Sequence, residues 1–404
     1  MKIITERELK PILRTLNGKR TVAGSHSATP RRLIYMLDTE VDGYNLFILN
    51  PRKGLPQREG VTLETSFIGP GMRGVPHKYY PCRLSLVPKL LTENLKADAV
   101  FIQARLEDGK LSMGGEVNIL PTIIRNVHAR GGLVIAQLND FMPWTWGDSE
   151  LPAEFVDYAI VHNIPLESVE ANKASEIAKQ IAYNVTSLIP EGATLQVGIG
   201  AVPDTVLLSL KNRSGLKVYS EMISDGVMEL EEAGCFNKDT PIRSSFVLGS
   251  AKFYKWLDHN SRVKMIETVT SNDPGLISKI PKVVALNTAL QIDLNGQANA
   301  NYVKGRGYYS GIGGQTDFEV GALHSEGGVS ILALASWHAK ACKSTIIPQL
   351  QAPATSFLHS YVVTEYGVAQ VSGVEENQQA RNLIAVAHPS VREALAEIRF
   401  GEIS

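Results

Sequence analysis

Short apolar runs rich in valine and isoleucine alternate along this chain with longer amphipathic segments. Six of these runs have few polar interruptions, and they cover residues 99–103 (AVFIQ), 132–137 (GLVIAQ), 156–162 (VDYAIVH), 194–197, 282–286 and 329–334. Strands that are buried on both faces have this pattern, because helices cover both sides of a parallel sheet. Strands that alternate with helices therefore predict an α/β fold with mostly parallel sheets.

The length of the chain and its helix-ending residues predict two domains. The 404 residues correspond to two or three domains at roughly 150 residues each. A helix is predicted over 166–189, and Pro190 and Gly192 end it before a new strand–turn–helix segment begins. We therefore predict two open α/β domains, 1–187 and 188–404. Parallel sheets bind ligands at the carboxyl ends of their strands, so the active site is expected in the cleft between the domains.

Composition excludes several classes of protein. Lys and Arg number 40 and Asp and Glu number 41, so the chain lacks the bulk positive charge of a nucleic-acid binder. Cys82, Cys235 and Cys342 lie far apart without CxxC spacing, which predicts neither a metal site nor a disulfide framework. The charged N-terminus lacks the apolar stretch of a signal peptide, and no apolar run approaches the ~20 residues of a membrane span. We expect a cytoplasmic protein that binds no nucleic acid, membrane or metal.

A Gly-x-Gly turn follows the apolar run 194–197. Gly198 and Gly200 allow the backbone to approach a ligand closely, and a helix opened by Pro203 offers free N–H groups to a phosphate or carboxylate. The third glycine of a dinucleotide fingerprint is replaced by Pro203. The turn predicts either an anion-binding site or a plain strand-to-helix connection.

Two further segments carry candidate site residues. Gly311, Gly313 and Gly314 lie within four residues, and such a loop can direct backbone N–H groups at an oxyanion. The alternative is a crowded turn between a strand and a helix. In the other segment a buried strand becomes polar, and period-2 spacing places Gln291 and Asp293 on one face, toward a cleft. Asp293 is more simply explained as a turn former.

The blocks NTALQIDLNGQANAN and GIGGQTDF resemble the acetyl-CoA hydrolase/transferase branch of the CoA-transferases. The likeness spans almost the whole chain, because further blocks follow in the family's order: LQVGIGAVPD, YSEMISDGVMEL, GGVSILAL, VVTEYGVA and LIAVAHPSVREAL. The resemblance implies two open α/β domains with the active site between them. It also implies a ping-pong reaction, in which a glutamate attacks acyl-CoA, becomes a glutamyl-CoA thioester and passes CoA to a carboxylate.

Gln291 stands where the resemblance places this glutamate, in the family pattern N-[ST]-A-[LI]-E-x-D. A neutral amide is a poor nucleophile and cannot form the glutamyl thioester directly. We assign catalytic roles to Gln291 and to the backbone amides of Gly313, Gly314 and Gly367. Substrate- or CoA-binding roles are expected for six residues: Gly198, Gly200, Asn287, Gly311, Gln315 and Glu365.

Three functions are compatible with this pattern. The favoured one is a diverged enzyme that acts on an acyl-CoA or related thioester by hydrolysis, decarboxylation or chemistry at the α-carbon. The second is a conventional carboxylate CoA-transferase, in which either Gln291 is an engineered substitution or another carboxylate is used. The third is a non-catalytic acyl-CoA-binding protein. The expected ligands are coenzyme A, as acyl-CoA, and a small carboxylate acceptor in the transfer reaction. The resemblance further implies a homodimer or homotetramer.

Overall fold

The structure is a computed structural model that describes residues 1–170, 174–198 and 200–401. The chain divides into two compact units. The first unit comprises Met1–Glu170, Pro241–Asn272 and Ser310–Gly314, and the second comprises Ala171–Thr240, Asp273–Tyr309 and Gln315–Ser404. Each unit contains mostly parallel strands with helices between them, so the predicted α/β class is confirmed.

The first unit is built on eight strands that pair in parallel. Their order across the sheet is Lys2–Ile3, Tyr158–Val161, Leu133–Leu138, Ala99–Glu107, Arg20–Ala23, Tyr44–Phe47, Val61–Thr65 and Lys78–Tyr79. From Arg20–Ala23 the chain proceeds to one side of the sheet, and it later returns to the other side at Ala99–Glu107. The sheet therefore has its topological switch point between these two strands.

Further short strands and helices complete the first unit. Lys110–Ser112 and Glu150–Leu151 add antiparallel strands to Ala99–Glu107. Three other strands pair in parallel with one another: Ile242–Val247, Val263–Met265 and Trp146–Gly147. The helices are Glu6–Arg14, Arg31–Glu40, Val87–Lys89, Leu120–Ala129, Ala251–Leu257 and Thr268–Ser271. The core includes the fully buried Val22, Phe47, Val100 and Val134, which come from four adjacent strands.

The second unit has its own parallel strands. Their order is Gly367–Gln370, Tyr361–Thr364, Val329–Ala333, Val283–Asn287, Thr194–Val197 and Lys217–Ile223. Neighbouring strands are parallel except for the first two, which form an antiparallel hairpin. The chain leaves Thr194–Val197 toward Lys217–Ile223 and later returns to its other side at Val283–Asn287. The switch point of this unit lies between Thr194–Val197 and Val283–Asn287.

Helices and small sheets surround these strands. The helices are Glu176–Thr186, Ala201–Ser209, Asp225–Glu232, Pro274–Ile277, Gln315–His324, Glu376–Val386 and Pro389–Phe400. A separate small sheet places Gln291–Asp293 between Ala298–Asn299 and Ile346–Ile347. Two hairpins pair Tyr302–Val303 with Gly307–Tyr308 and Trp337–His338 with Lys343–Ser344. No helix in 1–170, 174–198 or 200–401 has both the length and the apolar character that a membrane crossing requires.

Each of the six apolar runs contains a strand, but the helix predicted over 166–189 spans only Glu176–Thr186. The helix begins late because the Ser175 side chain caps it, accepting a hydrogen bond from the amide of Ala178 at 3.1 Å. Residues 171–173 of the predicted helix lie outside the described residues. The helix belongs to the second unit, where it packs on Ala201–Ser209, so the unit boundary precedes residue 187. The division into domains 1–187 and 188–404 stays a prediction.

A buried ion pair links two strands of the first unit and generates a stability prediction. Glu64 is 0% exposed, and it accepts hydrogen bonds from Arg20 Nε at 2.7 Å and from the Tyr80 hydroxyl at 3.1 Å. Replacing Arg20 by Met leaves this carboxylate buried without a counter-charge, which typically costs about 3–5 kcal/mol. We expect Arg20→Met to lower the free energy of unfolding in urea by this amount. Arg14→Met is the control, because Arg14 is exposed, and an equal loss in both variants would contradict the prediction.

Candidate active site

Several predicted site residues of the second unit lie at the carboxyl edge of its parallel strands. Gly198 follows one central strand, Asn287 ends its neighbour, and Glu365 follows a third strand. At the switch point Asn287 Nδ2 donates a hydrogen bond to Gln196 Oε1 at 3.1 Å. Open α/β sheets bind their ligands at this edge, so the sequence-predicted residues lie where the topology also predicts a site.

The turn after Thr194–Val197 requires glycine for its conformation. Gly200 has a φ of +128°, and a Cβ built there or at Gly198 would meet nothing within 4 Å. Other residue types are therefore excluded by the positive φ of Gly200 and not by crowding of a side chain. The helix begins at Ala201, two residues before the Pro203 start that the sequence predicted. Pro203 fits within the first turn because the N–H that proline lacks would have no partner within the helix there. Ile199 lies outside the described residues.

Glu365 is held firmly at the end of the strand Tyr361–Thr364. Its carboxylate accepts hydrogen bonds from the backbone amide of Ser336 at 2.9 Å and from the Ser336 hydroxyl at 2.5 Å. Gly367 begins the next strand of the hairpin with a φ of +140°, which side-chain-bearing residues rarely adopt. The hairpin thus fixes both residues at the same edge.

Gln291 lies in the separate small sheet, whereas the sequence predicted it at the end of the buried strand. It pairs with Asn299, and its side chain is half-buried. Its amide makes no hydrogen bond to any other residue that the structure describes. Asp293 is a turn former, as expected, since its Oδ1 accepts from the amides of Asn295 and Gln297 at 3.0 Å each. The Gln291 amide is therefore available to a ligand, whereas the Asp293 carboxylate is occupied.

The glycine loop belongs to the first unit. A Cβ at Gly311 would lie 2.4 Å from the carbonyl oxygen of Ser66 and 2.7 Å from Cα of Phe67. Gly313 has a φ of +60°, and its carbonyl accepts a hydrogen bond from the amide of Leu84 at 2.9 Å. Close packing therefore explains Gly311, as the crowded-turn alternative proposed. Since Ser66 directly follows the strand Val61–Thr65, the loop lies at the carboxyl edge of the first unit's sheet.

The predicted residues thus divide between the units. Gly311, Gly313 and Gly314 are in the first unit. Seven others are in the second unit: Gly198, Gly200, Asn287, Gln291, Gln315, Glu365 and Gly367. Among the residues with assigned positions, no group of three or more His, Cys, Asp or Glu side chains is arranged to hold a metal ion.

Sequence reasoning missed a buried acid and imidazole beside Gln315. Glu319 and His359 are both 0% exposed. Gln315 Nε2 donates to Glu319 Oε1 at 3.0 Å, and His359 Nδ1 lies 3.5 Å from the same oxygen. The only signal in the sequence was the spacing of Gln315 and Glu319, which places both on one face of a helix. The pairing with His359 depends on the fold.

Burial makes both of these groups neutral near neutral pH. It raises the pKa of Glu319 to about 8, although hydrogen bonds from Gln315 and Asn287 act in the opposite direction. Burial also lowers the pKa of His359 to about 4. Glu319 therefore keeps its proton and His359 remains unprotonated, because neither charge is solvated in the interior. The pair orients Gln315, whose amide Nε2 is engaged and whose amide oxygen remains for other partners.

Known proteins match most of this chain. Residues 249–398 match the family model for the acetyl-CoA hydrolase/transferase C-terminal domain. The 4-hydroxybutyrate coenzyme A transferase of Clostridium kluyveri is 39% identical over 330 residues, which cover 78% of this chain and 76% of that protein. The succinyl-CoA:acetate/propanoyl-CoA:succinate CoA transferase of Fasciola hepatica is 34% identical and covers 93% of this chain and 84% of its own length. The crystal structure of RipA from Yersinia pestis matches with a TM-score of 0.89 at 26% identity, covering 98% of this chain and 96% of RipA.

The raised pKa of Glu319 predicts how stability depends on pH. In the folded chain the carboxyl keeps its proton up to about pH 8, whereas the unfolded chain releases it near pH 4.5. Between these values the folded state binds more protons, so this group's contribution to the free energy of unfolding falls as pH rises. The lowered pKa of His359 makes the free energy of unfolding rise with pH, but only between about pH 4 and pH 6.5. The interval from pH 6.5 to pH 8 therefore isolates Glu319.

We expect Glu319→Gln to remove a decline on the order of 1 kcal/mol per pH unit in the free energy of unfolding over this interval. Glutamine is uncharged at every pH and has nearly the same shape. Urea titrations at pH 6.5 and pH 8 measure the change. Glu326→Gln, at an exposed glutamate that follows the same helix, should keep the decline of the unaltered protein. A decline that persists in Glu319→Gln would show that this carboxyl does not titrate as its burial indicates.

Proposed function

Since this chain belongs to the acetyl-CoA hydrolase/transferase family, we propose that it binds an acyl-CoA and cleaves the thioester without a glutamyl-CoA intermediate. The observation that carries this proposal is Gln291, an amide at the position where the family resemblance places a nucleophilic glutamate. The names of the two relatives describe CoA transfer, a reaction that in this family uses a carboxylate on the enzyme. A chain with an amide at this position needs a different attacking group.

The chemistry of the amide explains why transfer by the covalent route is not proposed. A carboxylate attacks through an anionic oxygen, whereas the amide is neutral and its lone pair is delocalised. Removing a nucleophile in other enzymes costs roughly 10⁴–10⁶ in rate. Because glutamine has nearly the size of glutamate, substrate binding survives the exchange. The unpaired Gln291 amide can instead form a hydrogen bond to the thioester or to an attacking water.

Hydrolysis is the simplest reaction that such a site performs. Water adds to the thioester carbonyl, and the backbone N–H groups of the glycine loop at Gly313 and Gly314 stabilise the resulting oxyanion. We assign binding of the acyl-CoA to five residues of the second unit: Gly198, Gly200, Asn287, Gln315 and Glu365. The hydrogen bonds between Ser336 and Glu365 and between Asn287 and Gln196 hold these side chains at the edge where open α/β sheets bind ligands.

Mass spectrometry with borohydride tests the proposal. Borohydride reduces a glutamyl-CoA thioester to an alcohol and changes the mass of that residue. After incubation with acetyl-CoA, we expect no such change in the unaltered protein, together with multiple turnovers of the thioester. Gln291→Glu restores a nucleophile and should acquire the mass change at residue 291.

A matched control is Gln297→Glu, which adds a carboxylate to the same small hairpin at another position and should remain unmodified. A borohydride-dependent change on the unaltered protein, at any carboxylate, would restore the ordinary transferase mechanism. Binding of CoA without turnover of acetyl-CoA would instead identify a non-catalytic acyl-CoA-binding protein.

A further inference from the structure

Three side chains of the first unit form a buried hydrogen-bonded cluster that the assigned site residues do not include. Ser25, His26 and Glu116 are 2%, 5% and 2% exposed. His26 Nδ1 lies 2.8 Å from Glu116 Oε2, and the Ser25 hydroxyl donates to Glu116 Oε1 at 2.7 Å. The carboxylate can only accept hydrogen bonds, so it holds the proton of His26 on Nδ1. Nε2 of the imidazole then carries the free lone pair.

The imidazole of His26 is held in one orientation. Its ring stacks on Phe246, with centroids 4.2 Å apart and planes inclined by 10°. Glu116 and Phe246 are bridged by backbone pairing, so the carboxylate and the stacking ring form one support. Among residues that the structure describes, Nε2 of His26 has no hydrogen-bond partner. A carboxylate on one nitrogen and a free second nitrogen is the arrangement of a histidine general base.

The position of His26 in the topology is that of a ligand site. Gly24, Ser25 and His26 directly follow the strand Arg20–Ala23, and the Gly24 amide donates to the carbonyl of Phe101 at 2.9 Å. The three residues therefore lie at the carboxyl end of a strand that borders the switch point of the first unit's sheet. Open α/β sheets bind ligands at this position.

The glycine loop lies at the same edge of the same sheet. Gly311 packs on Ser66 and Phe67, which follow the strand Val61–Thr65. That strand is separated from Arg20–Ala23 by the single strand Tyr44–Phe47, so the two positions lie two strand spacings apart, about 10 Å.

Backbone strain and an unpaired hydroxyl mark this part of the edge. His26 has a φ of +51°, and Asn50, which follows the intervening strand, has a φ of +39°. Such conformations are costly for residues other than glycine and cluster at functional sites. The buried Ser66 hydroxyl, beside Gly311, has no hydrogen-bond partner within the described ranges. A buried hydroxyl without a partner is also costly, which a ligand at this edge would relieve.

We infer that His26, held by Glu116, is the general base that activates water for thioester hydrolysis. This inference rests on the proposed function. Nε2 of His26 removes a proton from water while the water oxygen bonds to the carbonyl carbon, and the carbonyl π electrons move to the oxygen. As the tetrahedral intermediate collapses, the C–S bond breaks and its electron pair stays on sulfur. The imidazolium returns its proton to the CoA thiolate, so acyl-CoA and water give the carboxylic acid and CoA thiol.

Chemical rescue tests this role of His26. Glycine adopts a positive φ without strain, so His26→Gly keeps the backbone and leaves a space of imidazole size between Glu116 and Phe246. We expect kcat for acetyl-CoA hydrolysis, followed by thiol release, to fall by about 10²–10⁴-fold. Calorimetry should show unchanged affinity for CoA, and free imidazole should restore part of the lost rate. A purely structural histidine would instead lower the affinity for CoA or the free energy of unfolding together with the rate.

His259→Gly is a closely matched control. His259 also has a positive φ, of +55°, lies 3.2 Å from a glutamate carboxylate at Glu107, and stacks on Trp144 with planes inclined by 9°. It should keep the wild-type rate and show no response to imidazole. His26→Asn provides a second variant, because asparagine tolerates positive φ, and it should lose the same activity.

The outcomes separate this inference from the proposed function. If the unaltered protein hydrolyses acetyl-CoA and a folded His26→Gly or His26→Asn does so equally well, His26 is not the base and the proposed function stands. If His26→Gly does not fold, the rate of acetyl-CoA hydrolysis by His26→Asn alone decides whether His26 is the base. If the unaltered protein binds CoA but turns over no acetyl-CoA, both proposals are wrong.

Discussion

Parallel pairing of strands that are buried on both faces is the constraint on which both units depend. Parallel neighbours require crossovers, and the crossovers bring every carboxyl end to one edge of the sheet. The order of the strands then creates one switch point in each unit, at Arg20–Ala23 beside Ala99–Glu107 and at Thr194–Val197 beside Val283–Asn287. Polar residues that follow these strands meet at the edge, although they are far apart in sequence. The Asn287–Gln196 hydrogen bond joins the carboxyl ends of two such strands, and the Ser25–Glu116 hydrogen bond joins the segments that follow Arg20–Ala23 and Lys110–Ser112.

The sequence predicted the features that depend on local pattern. Apolar runs located strands in both units, because burial on two faces leaves a composition that can be seen without the fold. Gly200 was recognisable because a positive φ restricts the residue type at a turn. Sequence reasoning missed the late start of the helix Glu176–Thr186, because the apolar spacing continues on the N-terminal side of Ser175. The true start is set by a single hydrogen bond, from the amide of Ala178 to the Ser175 side chain.

The buried ionisable groups could not be predicted, for a physical reason. Glu319 and His359 become neutral only because distant segments exclude water from both. His26 is paired with Glu116, which follows 90 residues later in the sequence. Such pairs depend on which strand ends become neighbours, which is a property of strand order. Composition and periodicity contain little information about strand order.

The proposed exchange of a carboxylate for the Gln291 amide would also change which acceptors a thioester site can use. An acceptor carboxylate is already ionised near neutral pH and attacks without losing a proton. Water must lose a proton as it attacks, so a site that uses water needs a base where one that uses carboxylates does not. Glu319 and His359 cannot supply that base, because both are sealed from water. His26 differs, since its Nδ1 is engaged and its Nε2 is free at a switch point. In the proposed reaction, an amide at Gln291 and a histidine oriented by Glu116 therefore favour the same acceptor, water.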